Sequence, residues 1–188
     1  MDEVDRLLDD LARWMGAERT DLAARARSRE RWLRQQAVEE ARFAGLALDL
    51  AEHGEAVSVR TIQGRNHHGR IVAVATDFVV VQRTAGDRMV TLIALAAIAL
   101  LRPAHGRDHE PMGERTAAVD VTLAEALAGL VGDRPDVHLV VTGVDEVVAG
   151  QLRAVGDDVV TVLVPGDPPA SVYVRLGSVT ECSVLGSG

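Results

Sequence analysis

The chain has 188 residues, 47% hydrophobic and 26% charged, with a net charge of −8; this is enough for one or two small domains with real cores and excludes a disordered composition. Aromatic residues make up only 3%, which counts against functions built on stacking platforms, and the acidic balance counts against a general nucleic-acid binder, whose affinity rests on phosphate contacts. The longest apolar stretch, residues 90–101, is interrupted by Thr91 and falls short of the ~20 residues that cross a bilayer.

The chain opens Met1-Asp2-Glu3-Val4-Asp5, without the basic-then-apolar order of a secretory signal. Its single cysteine, Cys182, excludes an internal disulfide and fits a reducing compartment. All 20 Lys-or-Arg positions are Arg, a codon-bias signature of a high-GC bacterial genome. These features predict a cytoplasmic bacterial protein with no membrane contact.

Residues 2–15 carry Val4, Leu7, Leu8, Leu11, Trp14 and Met15 at helical spacing. Gly16 breaks the pattern, and Thr20 is suited to N-cap a second helix. That helix is predicted to run to about Glu52, with Leu22, Ala26, Leu33, Phe43, Ala47 and Leu50 near one side and Gly54 ending it. After Gly54 the period becomes twofold. Val57 and Val59 alternate with Ser58 and Arg60; Ile71, Ala73 and Ala75 form one face of a second strand; residues 78–81 are a continuous apolar run. Ala85-Gly86-Asp87 reads as a hairpin turn. Residues 89–93 and 95–101 complete five short strands, with Pro103 stopping the last.

Residues 104–121 are polar and contain Gly106, Pro111 and Gly113, as a linker would. A short helix over 122–131 follows, opened by Thr122 with Glu125 three residues on, the pattern of a capping box. Then the strand pattern returns. A shift of 81 residues sets Val59 on Val140, Thr61 on Thr142, Gly69 on Gly150, Ile71 on Leu152, Asp77 on Asp158 and Val81 on Val162. Leu46 and Leu50 of the preceding helix fall on Leu127 and Val131. A helix plus five strands therefore occurs twice. The predicted fold is α+β: a long N-terminal helical arm (1–53), a first small β-barrel (54–103), a linker (104–121), and a short helix with a second small β-barrel (122–185).

The run Gly64-Arg65-Asn66-His67-His68-Gly69-Arg70-Ile71 resembles the first signature of the Sm-like family of Sm, LSm and Hfq proteins, with its two spaced glycines followed by a basic and an apolar residue. The resemblance covers residues about 40–103 and 122–185 and implies tandem Sm-like barrels. The family's nucleotide-reading residues do not carry over. Ala75 and Val79 stand where an acid and an Asn belong, and the second repeat has Gly156 and Val160 there. The Arg-Gly of the family's second signature is replaced by Ala94-Leu95-Ala96 and by Arg175-Leu176-Gly177. The helix-plus-barrel layout is also similar to actinobacterial proteins labelled Fis-type regulators, although no helix-turn-helix is legible in the C-terminal half.

Arg25, Arg27, Arg29, Arg31 and Arg34 crowd one stretch of the arm, and Arg27, Arg31 and Arg34 share a helix face. With Arg65, His67, His68 and Arg70 of the first hairpin, they form the candidate nucleic-acid surface. Adjacent strand residues point to opposite faces, so His67 and His68 do not chelate one metal. His105, Asp108, His109 and Glu110 are ligand types, but Gly106 and Pro111 argue against the helix that would align them. Asp145-Glu146 and Asp157-Asp158 read as hairpin tips, and Cys182 as a strand core residue. No nucleophile-and-base arrangement, phosphate loop or dinucleotide fingerprint is present, so no catalytic residue, metal or cofactor is implied.

By segment, residues 54–103 hold 6 Arg and 3 acids, a balance of +3, and residues 137–188 hold 2 Arg and 6 acids, a balance of −4. The leading expectation is a non-enzymatic interaction or assembly module that self-associates or binds a protein partner. The alternative is a nucleic-acid-binding regulator acting through the basic first barrel and the Arg-rich helix.

Overall fold

A computed structural model describes residues 27–30, 32–33, 42–84, 89–104 and 119–185. Residues 27–30 and 32–33 are helical and exposed. Helix α1 (Phe43–Glu52) follows, and helix α2 (Leu123–Leu130) opens the second repeat. Among the described residues there are ten strands: β1 (Ala56–Thr61), β2 (Asn66–Val74), β3 (Phe78–Arg83), β4 (Val90–Ala94), β5 (Ile98–Pro103), β6 (Asp136–Val141), β7 (Val148–Val155), β8 (Val159–Val164), β9 (Ala170–Arg175) and β10 (Val179–Val184).

Two of the sequence expectations about architecture are overturned. The strands do not close into two separate barrels: all ten form one sheet, in the order β5-β1-β2-β3-β4-β10-β6-β7-β8-β9, and every pairing is antiparallel. The physical reason is the β4–β10 pairing, which satisfies two strand edges that separate barrels would leave unpaired. Nor is there a long helical arm among the described residues. Arg42 is extended (φ −107°, ψ 147°), so α1 starts afresh there and runs for only 10 residues. Helical spacing on both sides of such a break reads as one helix in the sequence. The expected first helix over 2–15 lies outside the described residues.

Each helix ends where its backbone turns left-handed. After α1, Gly54 (φ 61°) lets its own N–H reach Ala51 O at 3.0 Å and the Glu55 N–H reach Leu50 O at 3.2 Å, a paired C-terminal closure. After α2 the same place, 80 residues on, is held by Arg134 (φ 47°). The expected capping box is present: the Glu125 N–H donates to Thr122 Oγ1 at 3.3 Å, and the Thr122 N–H donates to Glu125 Oε2 at 2.8 Å.

The repeat is visible in the hydrogen bonds themselves. Ala75 N–H donates to Phe78 O and Gly156 N–H to Val159 O; Leu95 N–H donates to Asp77 O and Leu176 N–H to Asp158 O. These pairs are 81 residues apart. Before the first hairpin the offset is 80: Val57 pairs with Gly69, and its counterpart Val137 pairs with Gly150. The structural match of Val59 is therefore Leu139, and that of Thr61 is Val141, one residue short of the sequence alignment. The extra residue sits in the β6–β7 connection, which a fixed offset cannot absorb.

A bulge between Ile71 and Ala73, mirrored between Leu152 and Ala154, breaks the twofold alternation of β2 and β7. Val72 stays outward, 52% exposed, while the extra residue turns Val74 inward, so that Val74 and Ala75 are buried together. The expected strand over 95–101 is instead a 3-10 turn (Leu95–Ala97) followed by β5, which ends on Pro103. At Gly69 a Cβ would lie 2.2 Å from Gln82 O, and at Gly150 2.3 Å from Leu163 O, so both positions need glycine for the close strand approach.

Two apolar clusters form the core. One lies within the first repeat and joins Ala47 and Leu50 of α1 to Val57, Val59, Ile71, Val79 and Ile93. The other belongs mainly to the second repeat but takes in Ala75, Phe78 and Leu92 from the first, alongside Leu123, Leu127 and Cys182.

Candidate functional site

The feature that distinguishes this sheet is the joint between its halves. Glu181 lies mid-strand in β10, opposite Ile93 of β4, and is 1% exposed. Burying a lone carboxylate is costly unless donors surround it. Here Thr61 Oγ1 donates to Oε1 at 2.8 Å, while Arg65 Nε and His67 Nε2 donate to Oε2 at 3.1 and 2.9 Å. Every donor comes from the first repeat and the acceptor from the second. Burial pushes the Glu181 carboxyl up, but the His67 and Thr61 hydrogen bonds and the His67 and Arg65 charges outweigh it and hold the group below the ordinary carboxylate value.

Further contacts seal the joint. Thr91 Oγ1 and Ser183 Oγ are 3.0 Å apart across β4 and β10. Asp77, in the β2–β3 turn, accepts the Leu123 N–H at 2.7 Å, so a first-repeat carboxylate caps the first turn of α2. The segment before α2 lies on the same turn: Ala75 bridges Val119, and the Thr76 N–H donates to Val121 O at 3.2 Å. Leu92 and Leu123 are each 6% exposed in the apolar layer beneath.

Of the sequence-derived candidates, the structure brings Arg65 and His67 together, but onto Glu181 rather than toward solvent. Arg65 is still 46% exposed, His67 11%. His68 and Arg70 are exposed on β2, and Arg27 is exposed on its short helical stretch. Arg31 and Arg34, with Arg25, His105, Asp108, His109, Glu110 and the turn Ala85-Gly86-Asp87, lie outside the described residues. Asp145, Glu146, Asp157 and Asp158 are exposed between strands. Cys182 is fully buried, and desolvation pushes its thiol up to about 12, so it stays protonated.

Sequence reasoning missed Glu181. Its signal was the lone acid in Val179-Thr180-Glu181-Cys182-Ser183-Val184, at the position that Leu100 holds in the first repeat. No group of three or more metal-ligand side chains occurs among the described residues, and no helix among them is long and apolar enough to cross a membrane. An open hollow of about 530 Å³ beside Gly150 is framed by His138, Gln151, Leu163, Pro165 and Pro169. No family model matches the chain, and no curated protein shows a significant match to it.

Proposed function

We propose that this protein is a non-enzymatic interaction module whose working surfaces are the two open ends of its sheet, the outer edges of β5 and β9. The observation that carries the reading is the internal joint. Where β4 meets β10 the chain itself shows how an edge of this kind is covered, by a backbone ladder over a sealed apolar layer. Among the described residues β5 and β9 each have one strand neighbour, and no strand pairs with the other edge of either. Tyr173 on β9 is 73% exposed and Leu100 on β5 is 42% exposed, so both edges also carry apolar side chains in water.

A non-enzymatic role is supported by the fate of the convergent polar groups. The Glu181 carboxylate is buried with both oxygens hydrogen-bonded, and the thiol of Cys182 is held protonated in the core. Neither presents a reactive atom to a substrate. A nucleic-acid role through the first hairpin has less to work with, since Arg65 and His67 are engaged with Glu181.

The test is affinity capture from the native host with the intact chain and with a Tyr173→Arg, Leu100→Glu double variant. An interaction module retains a partner, either another protein or the chain itself, only when its edges are intact. A parallel titration with single-stranded RNA and duplex DNA across a salt series completes the test; salt-dependent affinity together with edge-independent capture would overturn the reading.

A further inference from the structure

We infer that the outward face of β6 to β9 is a docking site for an extended peptide of another protein. The peptide carries one bulky apolar residue and, two and four positions away, acidic residues on the same side. This adds a third surface to the two sheet edges proposed above and does not depend on them.

β8 shows which side chains share this face. Val160 and Val162 are fully buried in the core, so the alternate residues Val159, Thr161 and Leu163 point the other way. Their cross-strand partners define three rows. Leu163 pairs with Gln151 of β7, which pairs with Asp136 of β6. Thr161 pairs with Ala154, beside Arg153 in the bulge, and with Tyr173 of β9. Val159 pairs with Arg175. Successive rows are two residues apart, about 6.6 Å, which is also the spacing of same-side residues along an extended peptide.

The first row opens into the hollow of about 530 Å³. Ala149, paired with His138, is small enough to leave the space, and Leu163, Pro165 and Pro169 give it an apolar wall. A bulky apolar side chain is the occupant that such a wall favours. The second and third rows carry Arg153, Tyr173 and Arg175, all exposed. Among the described residues no carboxylate pairs with either arginine. Residues 137–188 hold only these 2 Arg against 6 acids, so both positive charges of an acidic half stand on one face, beside an exposed aromatic ring.

The first repeat shows that the fold requires none of this. At the places of Ala149, Leu163 and Pro165 it holds His68, Gln82 and Thr84, all polar and exposed. At the places of Arg153, Tyr173 and Arg175 it holds Val72, Leu92 and Ala94, of which Leu92 and Ala94 lie in the apolar layer shared with the second repeat. The second repeat is thus apolar where the first is polar in water, and cationic where the first is apolar. Neither exchange serves packing, and both favour a ligand.

Charge and distance select the class of ligand. Asp136 lines the hollow, while Arg175 stands two rows away, about 13 Å along the strand. A compact small molecule seated in the hollow does not span that distance. A polyanion that reached the arginines would set a phosphate against Asp136, in a half whose balance is already −4. An extended peptide with its apolar residue in the hollow and its acids on Arg153 and Arg175 satisfies all three rows.

Fluorescence anisotropy with the full chain reads the outcome. The probes are a labelled peptide in which phenylalanine is followed at the second and fourth positions by glutamate, with serine between, and the same peptide in reverse order. One of the two orders should bind about tenfold more tightly than a peptide of the same composition with both glutamates shifted by one position. The double variants Ala149→His, Leu163→Gln and Arg153→Val, Arg175→Ala import the first-repeat residues, which the same backbone already carries. Each should weaken binding about tenfold, and the second should also remove most of its salt dependence. Replacing the peptide's phenylalanine by serine should cost as much on the unmodified chain, which keeps the test open should a variant fail to fold. No binding by either order, equal binding of the shifted peptide, or binding indifferent to both double variants would overturn the proposal. So would displacement of the peptide by single-stranded RNA at a lower concentration than by unlabelled peptide. None of these variants alters Leu100 or Tyr173, so the edge-dependent capture described above is read separately.

Discussion

Leu92 and Tyr173 occupy the same place in the two repeats, the centre of the fourth strand, yet Leu92 is 6% exposed and Tyr173 is 73% exposed. The difference is not in the strand but in its neighbour. β10 lies beside Leu92, and among the described residues no strand lies on the corresponding side of Tyr173. The same side of the same unit is thus core in one repeat and surface in the other.

Gly69→Ala and Gly150→Ala should both destabilise the fold, because each new Cβ would press on a carbonyl oxygen, Gln82 O at 2.2 Å or Leu163 O at 2.3 Å. Overpacking of this kind costs about 1–3 kcal/mol. Denaturant melts should show losses of similar size for the two variants, as the two sites have the same geometry.

At the joint, His67→Ala should cost more than Arg65→Ala. His67 is 11% exposed and donates to a buried oxygen, whereas Arg65 is 46% exposed and water can replace it. Leaving a buried acceptor short of a donor costs about 1–3 kcal/mol, while a half-exposed ion pair contributes about 0–1 kcal/mol. The triple variant Thr61→Val, His67→Val, Glu181→Leu imports the apolar residues of the matching positions, Val141, Val148 and Leu100. It should recover much of the loss seen in His67→Ala, a comparison made by equilibrium unfolding.

The joint should weaken in acid. The Glu181 carboxyl is held below its ordinary value of 4.5, so its contribution is complete above that pH and is lost as pH falls through the lower folded value. Glu125, lowered by its hydrogen bonds with Thr122, adds a loss in the same direction. Unfolding free energy measured from neutral to acid pH should therefore decline, and Glu181→Gln should flatten the decline without abolishing it. An acid limb as steep in the variant as in the parent would contradict this assignment.

Cys182 should resist thiol reagents at neutral pH in the folded protein. It is fully buried, and desolvation raises its thiol to about 12. Labelling should proceed only as fast as the molecule unfolds, and denaturant should make it immediate.

Removing the two caps of α2 should separate their roles. Thr122→Ala removes the capping box and Asp77→Ala removes the acceptor for the Leu123 N–H; each should cost about 0.5–2 kcal/mol. Asp158→Ala, at the matching position of the second repeat, should leave the melt of the dilute protein unchanged.

Much of this was legible in the residues. Twofold alternation placed most strands, the pairing of Thr122 with Glu125 placed the second helix start, and Gly69 and Gly150 stood out as matching glycines of the repeat, though not as sites of close strand approach. These are local signals, set by backbone geometry over a few neighbours. The alignment of the repeats was one residue out before the first hairpin, because the longer β6–β7 connection leaves no mark in composition. The bulge at Val72 was hidden for a similar reason, since an apolar run reads alike with or without it.

Glu181 marks the boundary between the two kinds of information. That a helix and five strands occur twice, with opposite charge balance, follows from the order of the residues alone, since periodicity and turn chemistry act over short stretches of chain. That the ten strands form one sheet, that Glu181 is buried beside Thr61, Arg65 and His67, and that β5 and β9 have one strand neighbour each among the described residues follow from which edges meet. Edge pairing joins residues about ninety positions apart in the chain, and the partners of Glu181 lie more than a hundred positions from it, so only the packed molecule brings them within hydrogen-bonding distance.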